Sequence, residues 1–215
     1  MADVDLILSK IKLYLHHPIP VSLSNHKHSC SVSHTYAQGQ LFADIFPIWR
    51  DPVASEAVIS HLVTHIRTIH DLSQISSIVC LESRGFFFAP IIASRLNLPC
   101  IPVRKKGKLP GDKISITYQK DYGPDDFEMK TDAFEGIETK GKRVLLVDDL
   151  LGMGGSIVAA KTLVEKLGME VAECVFIFDV DVPIYNEAVK KNLGDMARYA
   201  MVTLRESNMG VPVNV

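Results

Sequence analysis

Four cysteines are all that this 215-residue chain carries, at positions 30, 80, 100 and 174. They are scattered rather than set in a disulfide framework, and three fall within or beside predicted strands. They read as reduced core thiols of an intracellular protein, and the expected compartment is the cytoplasm. A large excess of either charge is missing too. A net charge of −2 gives no global case for binding nucleic acid or an anionic membrane surface. No apolar run approaches the roughly 20 residues of a membrane span, so no membrane partner is expected. Asp3 and Asp5 stand before the apolar run Leu6-Ile7-Leu8, and no cleavage-site pattern follows, which argues against a signal peptide. Internal repeats and low-complexity segments are absent as well. Hydrophobic content of 47% and charged content of 22% are ordinary for a globular protein. The length therefore allows one well-buried domain with a small appendage.

What is present centres on Val144–Ser156, reading VLLVDDLLGMGGS. Four apolar residues predict a strand buried on both faces. Asp148 and Asp149 then fall where that strand should end, ahead of a glycine-rich turn and a helical pattern. Glycines let backbone N–H groups close on an anion, and the helix that follows points its positive end at the same spot. A P-loop would need Lys after its second Gly, and no Lys lies between Gly152 and Ser156. A dinucleotide fingerprint would need a third Gly where Ile157 stands. The two acids would repel a phosphate, but they suit sugar hydroxyls or a metal bridging sugar and phosphate. A phosphorylated ribose satisfies both halves of the stretch.

Along the rest of the chain, residues 3–15 have helical periodicity. Residues 16–40 break it with prolines, serines and histidines, predicting a long surface segment or a flap. His26, His28, Cys30 and His34 match no common zinc framework and read as a polar loop. His61 and His65 could share a helix face, but no Glu follows His61 as a metalloprotease motif requires. Asp51-Pro52 starts a helix running to about His70. Ser77–Leu81 and Cys100–Val103 are predicted strands around a Glu82–Gly85 turn and a helix from Phe86 to Leu96. Ile114–Tyr118 and Phe127–Met129 read as antiparallel strands joined by a polar lid loop, Gln119–Asp126. A helix to about Leu167, strands at Val171–Phe178 and Tyr199–Leu204, and a weaker helix at Val182–Leu193 complete the pattern. Alternating strands and helices predict a doubly wound, mostly parallel α/β sheet, with its ligand at the carboxyl ends of the strands.

Arg84, the Arg104–Lys108 run and the glycine turn each follow a different predicted strand, so all should open on one sheet edge. Positive charges there would meet a second, larger anion such as a pyrophosphate. The alternative for Lys105, Lys106 and Lys108 is a solvated surface patch.

Leu81-Glu82-Ser83-Arg84-Gly85-Phe86, Val103–Gly111, Val144–Ser156 and Phe42–Pro47 with Arg50-Asp51-Pro52 together resemble the type I phosphoribosyltransferases, and among them the adenine-using branch. The resemblance spans roughly residues 36–205, in the family's order. It implies a phosphoribosyltransferase domain over residues 36–215. An N-terminal helix and His-rich polar segment over 1–35 would precede it, and an antiparallel lid would lie at about 113–130. It implies transfer of phosphoribosyl from 5-phosphoribosyl-1-pyrophosphate to adenine, giving AMP and pyrophosphate, in a homodimer. Mg²⁺ would be the cofactor, held mainly by the substrate, with no protein metal ligand. Asp121 would be the catalytic acid of the lid. Asp148, Asp149, Gly152, Met153, Gly154, Gly155 and Ser156 would bind ribose and its 5′-phosphate. Ser83, Arg84, Arg104, Lys105 and Lys108 would take the pyrophosphate. Leu41, Phe42, Ala43 and Leu150 would hold the base.

Five matched positions depart from the family's pattern; Gly152 for alanine and Ser156 for threonine are tolerable, and three bear on activity. Asp121 replaces a glutamate and is one methylene shorter. Met153 replaces a threonine and so lacks a hydroxyl for the phosphate. Ala43 stands where an arginine is usual. An alternative reading is a phosphoribosyltransferase-fold chain that binds nucleotides in a regulatory or partner role, with little catalysis of its own.

Overall fold

The computed structural model describes residues 2–10, 12–15, 41–120 and 123–205, with 2, 12–15, 41–43, 119, 120, 123 and 184 described at the backbone only. The His-rich segment 16–40 and the pair Asp121-Tyr122 lie outside the described residues.

The chain opens with helix α1 (Ala2–Lys10), strand β1 (Lys12–Leu15), strand β2 (Leu41–Asp44) and the short helix α2 (Phe46–Trp49). The expected helix over 3–15 thus stops at Lys10. Residues 12–15 pair antiparallel with β2, from Lys12↔Asp44 to Leu15↔Leu41, and this pairing overrides the helical periodicity. Helix α3 (Pro52–Ile69) starts as expected. The Asp51 carboxylate accepts hydrogen bonds from the Val53 and Ala54 amides at 3.0 and 3.2 Å, with proline in the first turn. Its Val58, Leu62 and Ile66 are fully buried, each contributing about 1.5–3 kcal/mol.

Strand β3 (Ile75–Leu81), whose residues are all buried, leads through a 3₁₀ turn at Arg84–Phe87 into helix α4 (Ala89–Leu96). The single expected helix from Phe86 is split because Phe88, at φ −134°, breaks the α geometry and Pro90 restarts it. Strands β4 (Cys100–Lys105), β5 (Lys113–Lys120) and β6 (Gly123–Lys130) follow. β5 and β6 pair without interruption from Lys113↔Lys130 to Lys120↔Gly123. The expected lid loop at Gln119–Asp126 is therefore mostly ladder. Its polar residues pair across strands, with Thr117 Oγ1 donating to Asp126 Oδ1 at 2.5 Å.

Strand β7 (Arg143–Leu151), helix α5 (Gly155–Lys166), strand β8 (Glu170–Val180), helix α6 (Pro183–Leu193) and strand β9 (Arg198–Leu204) complete the fold. β7 does not end before the paired acids. It continues through them because β8 offers partners to the end, Leu150↔Phe178 and Leu151↔Asp179. The main sheet runs β5-β6-β4-β3-β7-β8-β9. Its five-strand centre is parallel, and the β5–β6 hairpin joins antiparallel through β4. Helices α1 to α4 cover a core containing Ile7, Val58, Ile66, Ile78 and Ile92. α5 covers the opposite face over Val79, Val103, Leu146 and Phe176. No described helix is long and apolar enough to cross a membrane.

Candidate active site

β3, β4 and β7 are neighbours and parallel, so their carboxyl ends share one edge. Glu82–Gly85, Arg104–Lys108 and Asp148–Ser156 are brought together there, as an open parallel sheet favours. The contact that locks the edge was not legible as such. Arg84 Nε lies 2.9 Å from Asp149 Oδ2, so the turn after β3 is tied to the acids of β7. Gly85 permits the approach. A Cβ there would sit 3.1 Å from the Val147 carbonyl oxygen and 3.5 Å from Asp148 Oδ1.

Asp149 is 3% exposed, and its amide donates to Asp148 Oδ1 at 2.9 Å. Burial, and then the Asp149 carboxylate beside it, push the Asp148 carboxyl well above the ordinary range. Burial raises Asp149 as well, while Arg84 pulls the other way. Two acids thus share one close cation.

Glu82 organises the second basic segment, a role the sequence reading missed. Its Oε2 accepts from Arg104 Nε at 2.8 Å and from the Lys105 amide at 2.9 Å. Burial works to raise the Glu82 carboxyl, but these two partners outweigh it and hold it below the usual range. The Arg104 guanidinium lies 5.7 Å from the centre of the Phe86 ring. Lys105 and Lys108 are exposed, with the Lys108 amide donating to the Lys105 carbonyl at 3.2 Å in a tight turn. Under that turn, buried Glu128 accepts from the Gly107 amide at 2.9 Å. The only sequence signal for Glu82 was its place directly before Ser83-Arg84, at a strand end.

The glycine turn spans Gly152 to Gly154. Gly154 has φ +83°, and a Cβ there would lie 3.2 Å from Leu193 Cγ, so glycine is required twice over. The Met153 carbonyl accepts from Asn192 Nδ2 at 2.7 Å, so α6 grips the turn from behind. Met153 and Leu150 are half-buried and pack against the core under α1–α4. α5 begins without a side-chain cap, which leaves its first amides directed at the turn. Ser156 lies in this first turn. Leu41, Phe42 and Ala43 fall on β2, where only the backbone is described, and Asp121 lies outside the described residues.

Among the described residues, no three His, Cys, Asp or Glu side chains converge as a metal cage. Two adjacent carboxylates beside an anion cradle fit a magnesium ion that arrives with a phosphorylated ligand and keeps most of its other partners there.

Residues 54–196 match the model of the phosphoribosyl transferase domain. Adenine phosphoribosyltransferase from Bos taurus is 37% identical over 182 residues, covering 84% of this chain and 88% of that protein. Its counterpart from Cricetulus griseus is 36% identical over 179 residues, covering 83% and 87%. Among solved structures, the Saccharomyces cerevisiae adenine phosphoribosyltransferase, complexed with an imino-altritol bisphosphate and adenine, is 30% identical. Its TM-score is 0.70, over 94% of this chain and 99% of that one. The enzyme from Thermoanaerobacter pseudethanolicus is 29% identical with a TM-score of 0.73, over the same 94% and 99%.

Proposed function

This chain belongs to the phosphoribosyl transferase family, and from that premise we propose that it joins adenine to 5-phosphoribosyl-1-pyrophosphate, releasing AMP and pyrophosphate in purine salvage. In this reaction the adenine nitrogen bonds to the anomeric carbon as the carbon–oxygen bond to pyrophosphate breaks, and the adenine N–H proton departs. Positive charge builds on the ribose ring, and the Asp149 carboxylate stabilises it while Asp148 and Asp149 accept from the ring hydroxyls. The amides of Gly152–Ser156 and the Ser156 hydroxyl hold the 5′-phosphate at the start of α5. Arg84 and Arg104, with Ser83, Lys105 and Lys108, take the departing pyrophosphate. Glu82 keeps Arg104 and the Lys105 amide in place. Magnesium bound with the substrate supplies further charge neutralisation on the leaving group.

We assign residues 36–215 to one transferase domain, with the 113–130 hairpin as the cover over the reacting atoms and Asp121 as its proton-handling acid. Leu41, Phe42, Ala43 and Leu150 frame the adenine. We also propose a homodimer. Phe46 and Phe87, 45% and 48% exposed, meet edge to face at 5.6 Å beside Trp49, an apolar patch suited to a second copy. The cytoplasm suits an enzyme whose Cys80, Cys100 and Cys174 are free thiols.

The observation that carries the reading is the junction of the glycine turn, the paired acids and the two arginines on one sheet edge. The test is direct. Purified protein with Mg²⁺ and 5-phosphoribosyl-1-pyrophosphate is given adenine, hypoxanthine or guanine in turn. AMP from adenine, and no nucleotide from the other bases, is the expected result. Nucleotide binding without turnover of any base would overturn it in favour of a binding role.

A further inference from the structure

Two thiols meet on the strands that carry the arginine turns. Cys80 lies on β3 and Cys100 opens β4, in a parallel register that sets Cys100 against Ile78 and Cys80 against Pro102. Their Sγ atoms are 3.6 Å apart. Cys80 is 2% exposed, whereas Cys100 is half-buried and lines a cavity of about 420 Å³ with Ile101, Pro102, Leu109 and Lys130. One sulfur is therefore within reach of a small solute, and its partner waits behind it. The contact with Cys100, and burial after it, push the Cys80 thiol up, while the same contact lowers Cys100. The accessible sulfur is thus the one that ionises first, as a reactive thiol requires.

We propose that Cys80 and Cys100 are a redox modification site, at which a hydroperoxide drives formation of a reversible disulfide. The Cys100 thiolate attacks one peroxide oxygen, the O–O bond breaks, and the departing hydroxide leaves as water after taking a proton. Cys100 is then a sulfenic acid. Cys80 attacks that sulfur and gives up its proton, the S–S bond forms, the S–O bond breaks, and a second water leaves. Two thiols lose two electrons in total, and one hydrogen peroxide gains them. The pair must close from 3.6 Å to about 2.05 Å, and whatever part of that movement side-chain rotation does not supply falls on β3 and β4. The loop closed by this bond contains the Glu82–Gly85 turn, and Glu82, directly after β3, holds Arg104 of β4. Oxidation therefore pulls on the geometry that positions both arginines.

The test uses the full reduced chain, exposed to hydrogen peroxide, quenched by alkylation, digested and read by mass. A peptide pair joined through Cys80 and Cys100, lost on treatment with dithiothreitol and absent from Cys80→Ala and Cys100→Ala, is the expected result. Cys30→Ser, which removes a competing thiol, should leave the linkage intact. AMP formation by the linked protein should fall by about threefold or more and return on reduction, since small misplacements at a reacting centre are costly. Cys100 passing to sulfinic acid without linkage would overturn the proposal. So would both thiols staying reduced while methionines oxidise, or Cys80 and Cys100 pairing indiscriminately with Cys30 and Cys174. Complete linkage with unchanged turnover would overturn the coupling to the site. The mass readout needs no turnover, so failure of the assigned activity is told apart from failure of this pairing.

Discussion

Two buried carboxylate arrangements sit on neighbouring strands and are solved in opposite ways. At the carboxyl edge, Asp149 of β7 pairs with the guanidinium of Arg84, whose charge also acts on the neighbouring Asp148. Toward the other end of β8, Glu173 is 6% exposed, and its Oε2 lies 2.9 Å from both His65 Nε2 and His70 Nε2. His65 stacks on Tyr199, with ring centres 3.5 Å apart, and the Tyr199 hydroxyl meets His61 Nε2 at 2.6 Å. One acid with two donors is a fully partnered network, which rigidifies the packing of α3 on the sheet. Two acids with one close cation form a group with few partners among the described residues, which is what the proposed binding of ribose hydroxyls there requires. Asp149 and Glu173 are both buried, so burial alone does not separate the two ends. The balance of partners does.

The contrast is broken most forcefully at Arg84. Arg84→Ala should lower kcat/KM for 5-phosphoribosyl-1-pyrophosphate by about 100- to 1,000-fold, the usual effect of losing a charge-stabilising donor. Steady-state kinetics check it, and a loss below tenfold would remove Arg84 from the pyrophosphate site. Glu173→Ala should do the reverse. It strands two half-buried imidazoles and should cost about 2–3 kcal/mol in urea unfolding, with kcat within about twofold of wild type at permissive temperature. A large loss of kcat in the folded variant would end the separation between the two ends. Met153→Thr is a smaller change, made within the anion end. A hydroxyl restored beside the phosphate should tighten binding by about 1–2 kcal/mol, read by calorimetry with the diphosphate substrate. Unchanged or weaker affinity would mean that the core packing of Met153 matters more than the missing hydroxyl.

A further contrast is one of sign rather than size. Folded Asp148 keeps a proton that the unfolded chain has already released, so this group's contribution to stability falls as pH rises above the ordinary carboxylate range. Glu82 is held low, and its contribution is present above that range and lost as pH falls below it. Urea midpoints measured from about pH 4 to about pH 8 should lose the alkaline decline in Asp148→Asn. They should lose part of the acid decline in Glu82→Gln. Identical profiles for all three proteins would contradict both assignments.

Periodicity and glycine spacing made the parallel centre and the anion turn legible, because a doubly buried strand followed by Gly-x-Gly leaves few other folds. The antiparallel pairing of Lys12–Leu15 with β2 was not legible, because four residues at helical spacing do not disclose a partner some thirty positions away. The polar run Gln119–Asp126 read as a loop because an edge ladder with one wet face has the composition of one. At the site, the placement of Arg84 and Arg104 on one edge follows from strand ends, which sequence locates. Those of Glu82, Glu128 and Asn192 depend on side chains reaching across elements, and no local pattern encodes that.

The grip of α6 on the glycine turn also sets an order of events in synthesis. Asn192 follows Met153 by 39 residues, and Leu193 is the side chain against which Gly154 is shaped. At ordinary elongation rates the turn emerges roughly 2–8 s before the helix that fixes it. A nascent chain can thus hold strand, acids and glycines and still lack the Asn192 bond and the Leu193 packing that shape the turn. Under the proposed function, the growing chain passes through that interval before its phosphate site is formed.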